Sequence, residues 1–199
     1  MYIPKHFSVE DAAWIRAFID EYRFATLVTA LDGQPFATHL PLIYEPNDGP
    51  HGLLRGHIAR ANPHWKSFDA VQLAIFTGPH AYVSPTWYES SAPAVPTWNY
   101  TAVHAYGKAR IVDDPSAVRD LLVRLTDREE ASLVPRYTVD AQDGEYVSHM
   151  MRQIVAFEIP ISRLEAKAKL SQNRTPEERV RVARTLGGEV EALMKELVL

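Results

Sequence analysis

The sequence predicts a mainly β fold with peripheral helices (α+β), built as a small antiparallel barrel that is either closed or split. Three observations carry this prediction. Five or six short runs alternate in polarity or stay apolar, as strands do. Hairpin signals such as Asp32-Gly33 link several of them closely. Helix start signals fall outside these runs, at the flanks and between groups of strands.

Met1 to Phe7 reads as an extended arm, since Pro4 discourages helix. Ser8, followed by Glu10 and Asp11, opens an amphipathic helix over Val9 to Tyr22. Strands follow at Phe24 to Leu31 and Pro35 to Tyr44, then a Pro46 to Pro50 turn and a strand over Gly52 to Ala59. Asn62-Pro63 is the preferred cap and first-turn pairing, so a short helix runs through Phe68. Strands are expected at Val71 to Thr77 and, after a long loop, at Tyr100 to Val112. Asp114-Pro115 starts a helix reaching Arg128, and Val134 to Gly144 is irregular. A helix over Tyr146 to Arg152 and a last strand over Ile154 to Ile161 complete the barrel. Thr175-Pro176-Glu177-Glu178 is a capping box, and its helix meets Gly187-Gly188 before a final amphipathic stretch to Leu199. The expected division is a barrel over 1–165 and a helical extension over 166–199.

The bulk numbers exclude several classes. With 21 basic and 25 acidic residues the formal net charge is −4, unlike a whole-protein nucleic-acid clamp. Cysteine is absent, which removes disulfides, thiolate metal sites and a cysteine nucleophile. No signal pattern and no membrane-length apolar run is present, so a soluble cytoplasmic protein is expected. P-loop, dinucleotide, zincin and nucleophile-elbow motifs are missing. The spacing of His6, His39, His57, His64, His80, His104 and His149 does not suit a zinc site.

Chemistry concentrates in two places. The loop before Tyr100 holds Trp87, Tyr88 and Trp98 among Pro79, Pro85, Pro93 and Pro96. Such rings serve either as a plug or dimer seam, or as a wall for a flat conjugated ligand. The second place is Arg60-Ala61-Asn62-Pro63-His64-Trp65-Lys66, where a strand runs into a capped helix. It reads either as an ordinary helix start with solvated cations or as a phosphate seat, with Arg60 and Lys66 supplying charge. On the strand from Tyr100, alternation puts Tyr100, Ala102, His104, Tyr106, Lys108 and Arg110 on one face, opposite a core face of Thr101, Val103, Ala105, Ala109 and Ile111.

Several segments taken together resemble the PaiB family of FMN-binding negative transcriptional regulators. They are Met1 to Phe7, His39-Leu40-Pro41-Leu42, Gly56 to Pro63, Gly78 to Pro85, Val95 to Tyr100, and Lys169-Leu170-Ser171-Gln172-Asn173-Arg174. The resemblance implies an FMN-binding split β-barrel acting as a homodimer, with FMN in the subunit seam. It implies that Arg60, Asn62 and Lys66 hold the phosphate. His39, Leu40, Pro41, Ile58 and Ala59 would border the flavin, Trp98, Asn99 and Tyr100 would come from across the dimer, and Lys169 and Arg174 would approach the same seam.

Three functions follow for comparison. A flavin protein with redox activity on a small molecule fits the lack of a nucleophile or metal site. A repressor touching DNA would have only the helix after Thr175, with Arg179, Arg181 and Arg184, to do so; residues 1–160 carry 13 basic against 19 acidic side chains. A haem-handling barrel would use His39 or His104 as iron ligand, and would leave the phosphate seat without a purpose.

Overall fold

A computed structural model describes residues 1–88 and 93–198 of the chain. The middle of the predicted aromatic loop, 89–92, and the last residue of the predicted C-terminal stretch lie outside the described residues. The chain divides into two compact units, Ile19–Ile75 with Ala105–Leu164, and Met1–Phe18 with Phe76–His104 and Glu165–Leu199.

The first of these holds two antiparallel sheets. Strands β2 (Phe24–Leu31) and β3 (Gln34–Pro41) form the hairpin predicted at Asp32-Gly33. Both turn residues have positive φ, 51° and 76°, the pairing that matches strand twist in a two-residue hairpin. The start of β6 (Val71–Val83) pairs with β2 through Thr26↔Ile75 and Val28↔Leu73. The other sheet runs in the order β4 (Ile43–Glu45), β5 (Leu53–Ala59), β9 (Ile154–Pro160), β8 (Arg110–Val112). Leu40, Leu42, Leu54, Ile58, Phe68 and Phe157 fill the interior. Gly56 is there because a Cβ would strike Leu42 at 2.6 Å. Outside, α2 (Pro115–Glu129) lays Val118, Leu121 and Leu125 on Ile43 and Ala156. Its start is capped by Asp114, which accepts from the Ser116 amide, as Asp-Pro predicted. The short α3 (Gly144–Met151) precedes β9.

In the other unit, β1 (Ser8–Val9), β10 (Arg163–Lys169), β7 (Thr97–Lys108) and the far part of β6 are neighbours in that order. Helices α4 (Pro176–Leu186) and α5 (Gly188–Leu197) cover one face through Val182, Ala183, Val190 and Met194, against Val83, Ala168 and Leu170. Thr175 accepts from the Glu178 amide as the capping box required, and Gly187 at φ 63° separates the helices.

Several boundaries differ from the sequence reading, each for a physical reason. The first helix, α1 (Ala12–Glu21), starts later because Ser8 and Val9 pair with Lys167 and Ala166 on β10. Asp11 is the capping residue: its Oδ1 accepts from the amides of Ala13 and Trp14. The strand expected over Pro35 to Tyr44 breaks at Leu42, and β3 and β4 join different sheets. Leu42 and Ile43 are both buried, which no single alternating strand allows. The strand from Tyr100 begins at Thr97 and breaks at Ala109; Ala102, expected on the mixed face, is buried, and Ile111, expected in the core, is exposed. Strand β6 continues through Pro79, placed in the loop by the sequence reading. At Gly78 an added Cβ would meet the Phe18 ring at 2.6 Å, so the strand accepts close packing there. Strand β10 is not predicted at all. Among the described residues no helix is long and apolar enough to cross a membrane.

Candidate functional site

The corner where β5 ends is built by a chain of directed hydrogen bonds. Asn62 caps the 3-10 turn Pro63–Ser67, its Oδ1 accepting from the His64 amide at 3.0 Å. Its Nδ2 donates to Thr38 Oγ1 at 3.0 Å. His64 is fully buried and lies 2.9 Å from both Thr38 Oγ1 and Gln72 Oε1. The Gln72 amide nitrogen faces Thr29 Oγ1 and the carbonyls of Ser67 and Ala70, so its Oε1 must be the acceptor. That makes His64 Nε2 the donor and leaves Nδ1 to accept from the Thr38 hydroxyl. The ring is thereby held neutral, and burial pushes its pKa below the usual histidine value, the Gln72 contact opposing.

Arg60 follows β5 on the other side of this turn. Its Nε donates to the Arg152 carbonyl at 2.9 Å and its Nη2 to the Ile154 carbonyl at 2.7 Å. Two carbonyls therefore fix a guanidinium that is otherwise exposed, and Nη1 has no partner among the described residues. Arg60 lines a cavity of about 370 Å³ with Val112, Val118, Met151, Ile154 and Ala156. Lys66, one turn along, is exposed and makes no hydrogen bond or ion pair among the described residues. One preoriented guanidinium and one free ammonium at a strand-to-turn corner fit a phosphate chemically.

The remaining predicted residues fall in three settings. His39 is exposed on the outward face of β3, 3.0 Å from Thr26 Oγ1 and stacked with Phe24 at 6.5 Å between ring centres. Leu40 and Ile58 point into the core, while Pro41 and Ala59 are at least partly exposed. In the other unit Trp98 is 53% exposed and near the rings of His80 and Tyr82, at 6.2 and 6.0 Å. Asn99 is fully buried; it accepts from Ser171 Oγ at 3.1 Å and its amide nitrogen lies 3.6 Å from Met194 Sδ. Tyr100 is half-buried beneath the Lys167 ammonium, 4.9 Å from its ring centre. The structure thus joins Asn62 to Thr38 and His64, and sets Arg60 on the carbonyls of Arg152 and Ile154.

Sequence reasoning missed Thr38, His64 and Gln72 as a connected unit. Thr38 sits one position before His39, hence on the opposite strand face. That alternation was a readable sign that it points inward, toward the histidine of the Asn62 turn.

This arrangement of sheets is that of a split barrel. The fold is shared with the FAD and haem binding protein of Mycobacterium smegmatis, at TM-score 0.62 and 16% identity, over 91% of this chain and 80% of that one. It is also shared with the flavocytochrome Anf3 of Azotobacter vinelandii, at TM-score 0.60 and 14% identity, over 89% and 77%. The chain belongs to the family described as "Putative FMN-binding domain", whose model matches residues 1–163, and FMN is the cofactor of that family. Its relative in Bacillus subtilis (strain 168), "Protease synthase and sporulation protein PAI 2", is 39% identical over 99% of this chain and 94% of its own length. This is the PaiB relationship that the motifs had indicated. A second relative, protein AN0679 of Emericella nidulans, is 30% identical over 86% of this chain and 84% of its own.

Proposed function

We propose that this flavin-binding split barrel is a homodimeric redox protein that acts on a small molecule and influences transcription through that turnover. The carrying observation is the corner at Arg60. A guanidinium is preoriented by two backbone carbonyls with one nitrogen open, and Lys66, six residues on, is exposed and unpaired among the described residues. In this reading Arg60 and Lys66 hold the FMN phosphate. Asn62 fixes the turn between them, and its own polar atoms are used by Thr38 and His64. When bound, the flavin supplies hydride or single-electron chemistry; the protein binds and orients it and excludes water.

Dimerisation is supported by the outward face of the β2–β3–β6 sheet. Phe24 is 68% exposed and paired with Pro41; further along the same face Val28, Ala37 and Leu73 stand in register, with Ile75, Thr26 and His39 in the row between. A largely apolar face of this kind calls for a cover, and a second copy of the chain supplies a self-complementary one. His39 and Pro41 sit along that face, consistent with a flavin ring in the seam. Direct DNA contact has less support: of the three α4 arginines only Arg184 is exposed, Arg179 and Arg181 being half-buried.

The reading is tested by titrating the protein with FMN and following flavin fluorescence. Arg60→Ala is expected to weaken binding at least about ten-fold, because a doubly charged phosphate loses a charge-assisted donor pair. Equal affinity of variant and wild type would remove Arg60 from the site.

A further inference from the structure

Two closely spaced lysines on β10 are withdrawn from solvent. The strand's alternation sends Ala168 and Leu170 into the α4–α5 core and leaves Lys167 and Lys169 on the opposite face. Lys167 is only 5% exposed. Its ammonium donates to the Tyr2 carbonyl at 3.0 Å and lies 4.9 Å from the Tyr100 ring centre. Lys169 donates to Thr97 Oγ1 at 2.6 Å and to the Trp98 carbonyl, with the Phe7 ring 5.9 Å away. Neither lysine has a carboxylate partner among the described residues. Glu165, the acid on the same strand face, is ion-paired with the Met1 amino group.

Carbonyls and ring faces offset only part of the cost of withdrawing two neighbouring ammonium groups from water. Burial, and then the charge of Lys167, lowers the pKa of Lys169. An anion at this place would relieve both effects. Lys169 is bonded to the Trp98 carbonyl, and the exposed indole of that same residue forms a ring-lined surface with His80 and Tyr82.

We propose that Lys169 and Lys167 seat the anionic group, a carboxylate or phosphate, of a planar ligand whose ring lies against Trp98. Lys169 contacts the anion, and Lys167 behind it strengthens the positive field. The ligand's role as the flavin's reaction partner rests on the function proposed above; the anion seat itself does not. It is separate from the cofactor's phosphate, which that reading places at Arg60 and Lys66.

The test titrates the full-length protein, with and without FMN, using benzoate, its neutral isostere benzamide, and inorganic phosphate, read by tryptophan fluorescence. Benzoate is expected to bind at least about ten-fold more tightly than benzamide, and Lys169→Gln to remove that preference. Lys169→Arg, which keeps the charge, is expected to retain it and serves as the control for folding. FMN affinity should stay within about two-fold in both variants. Two results overturn the proposal: a benzoate preference unchanged in Lys169→Gln, or FMN affinity that falls together with it, which would give the lysines to the cofactor. Benzoate preference lost in Lys169→Gln while wild type binds no FMN would uphold the seat and refute the flavin reading. Phosphate binding without benzoate binding would refute the planar ligand.

Discussion

Thr38 is a small residue with a large share in the order of the site. Its hydroxyl accepts from Asn62 and donates to His64, so one oxygen connects β3 to the turn after β5. Thr38→Val keeps the shape and removes both bonds, leaving the Asn62 amide and His64 Nδ1 short of partners. The expected loss is about 1–3 kcal/mol in unfolding free energy, read from urea midpoints. No change would mean that the network is not what orders the corner. His57, on the helix-covered side of β5, has a buried Nδ1 that finds no partner among the described residues, and burial lowers its pKa. His57 and His64 both titrate below 6.5 in the folded chain. The unfolded chain then binds more protons as pH falls through about 6.5, so stability must decline on acidification. Urea midpoints are expected to drop between about pH 7.5 and about pH 5.5, with a shallower drop in His57→Leu. Matching slopes in wild type and variant would count against a neutral, buried His57.

Strands and helices marked by local chemistry were legible in the sequence. Asp32-Gly33 delivered its hairpin, Asp114-Pro115 its helix start and Thr175 its capping box. Elements decided by tertiary pairing were not legible. Strand β10 reads Arg-Leu-Glu-Ala-Lys-Ala-Lys, composed largely of residues that favour helix, and becomes a strand between β1 and β7. The site shows the same split: Arg60 and Asn62 could be chosen from the strand-to-turn pattern, whereas their partners Arg152, Ile154 and Thr38 lie far along the chain. Long-range packing also explains Gly107 within β7. A Cβ there would press on the Pro160 carbonyl oxygen and meet Ile159 at 2.7 Å. Gly107→Ala is expected to cost about 1–3 kcal/mol, measured by thermal or urea unfolding. A neutral result would show that the β7 and β9 backbones can part without penalty.

Taken as a molecule, the chain combines a family-defined cofactor with the two faces on which the proposals above rest. One is the apolar outward face of β2, β3 and β6; the other is the surface of rings and cations on β7 and β10. In the proposed reading a second copy and a flavin together cover the first of these faces. Ile75 stands at the middle of the apolar face, half-buried and opposite Thr26. Sedimentation velocity, recorded at the flavin absorbance with FMN added, therefore decides whether flavin and dimer go together. The flavin is expected to sediment with a dimer at one FMN per chain, and Ile75→Lys to yield folded monomer with the flavin left free. Flavin sedimenting with a monomer, or a colourless dimer that leaves all FMN in solution, would contradict it.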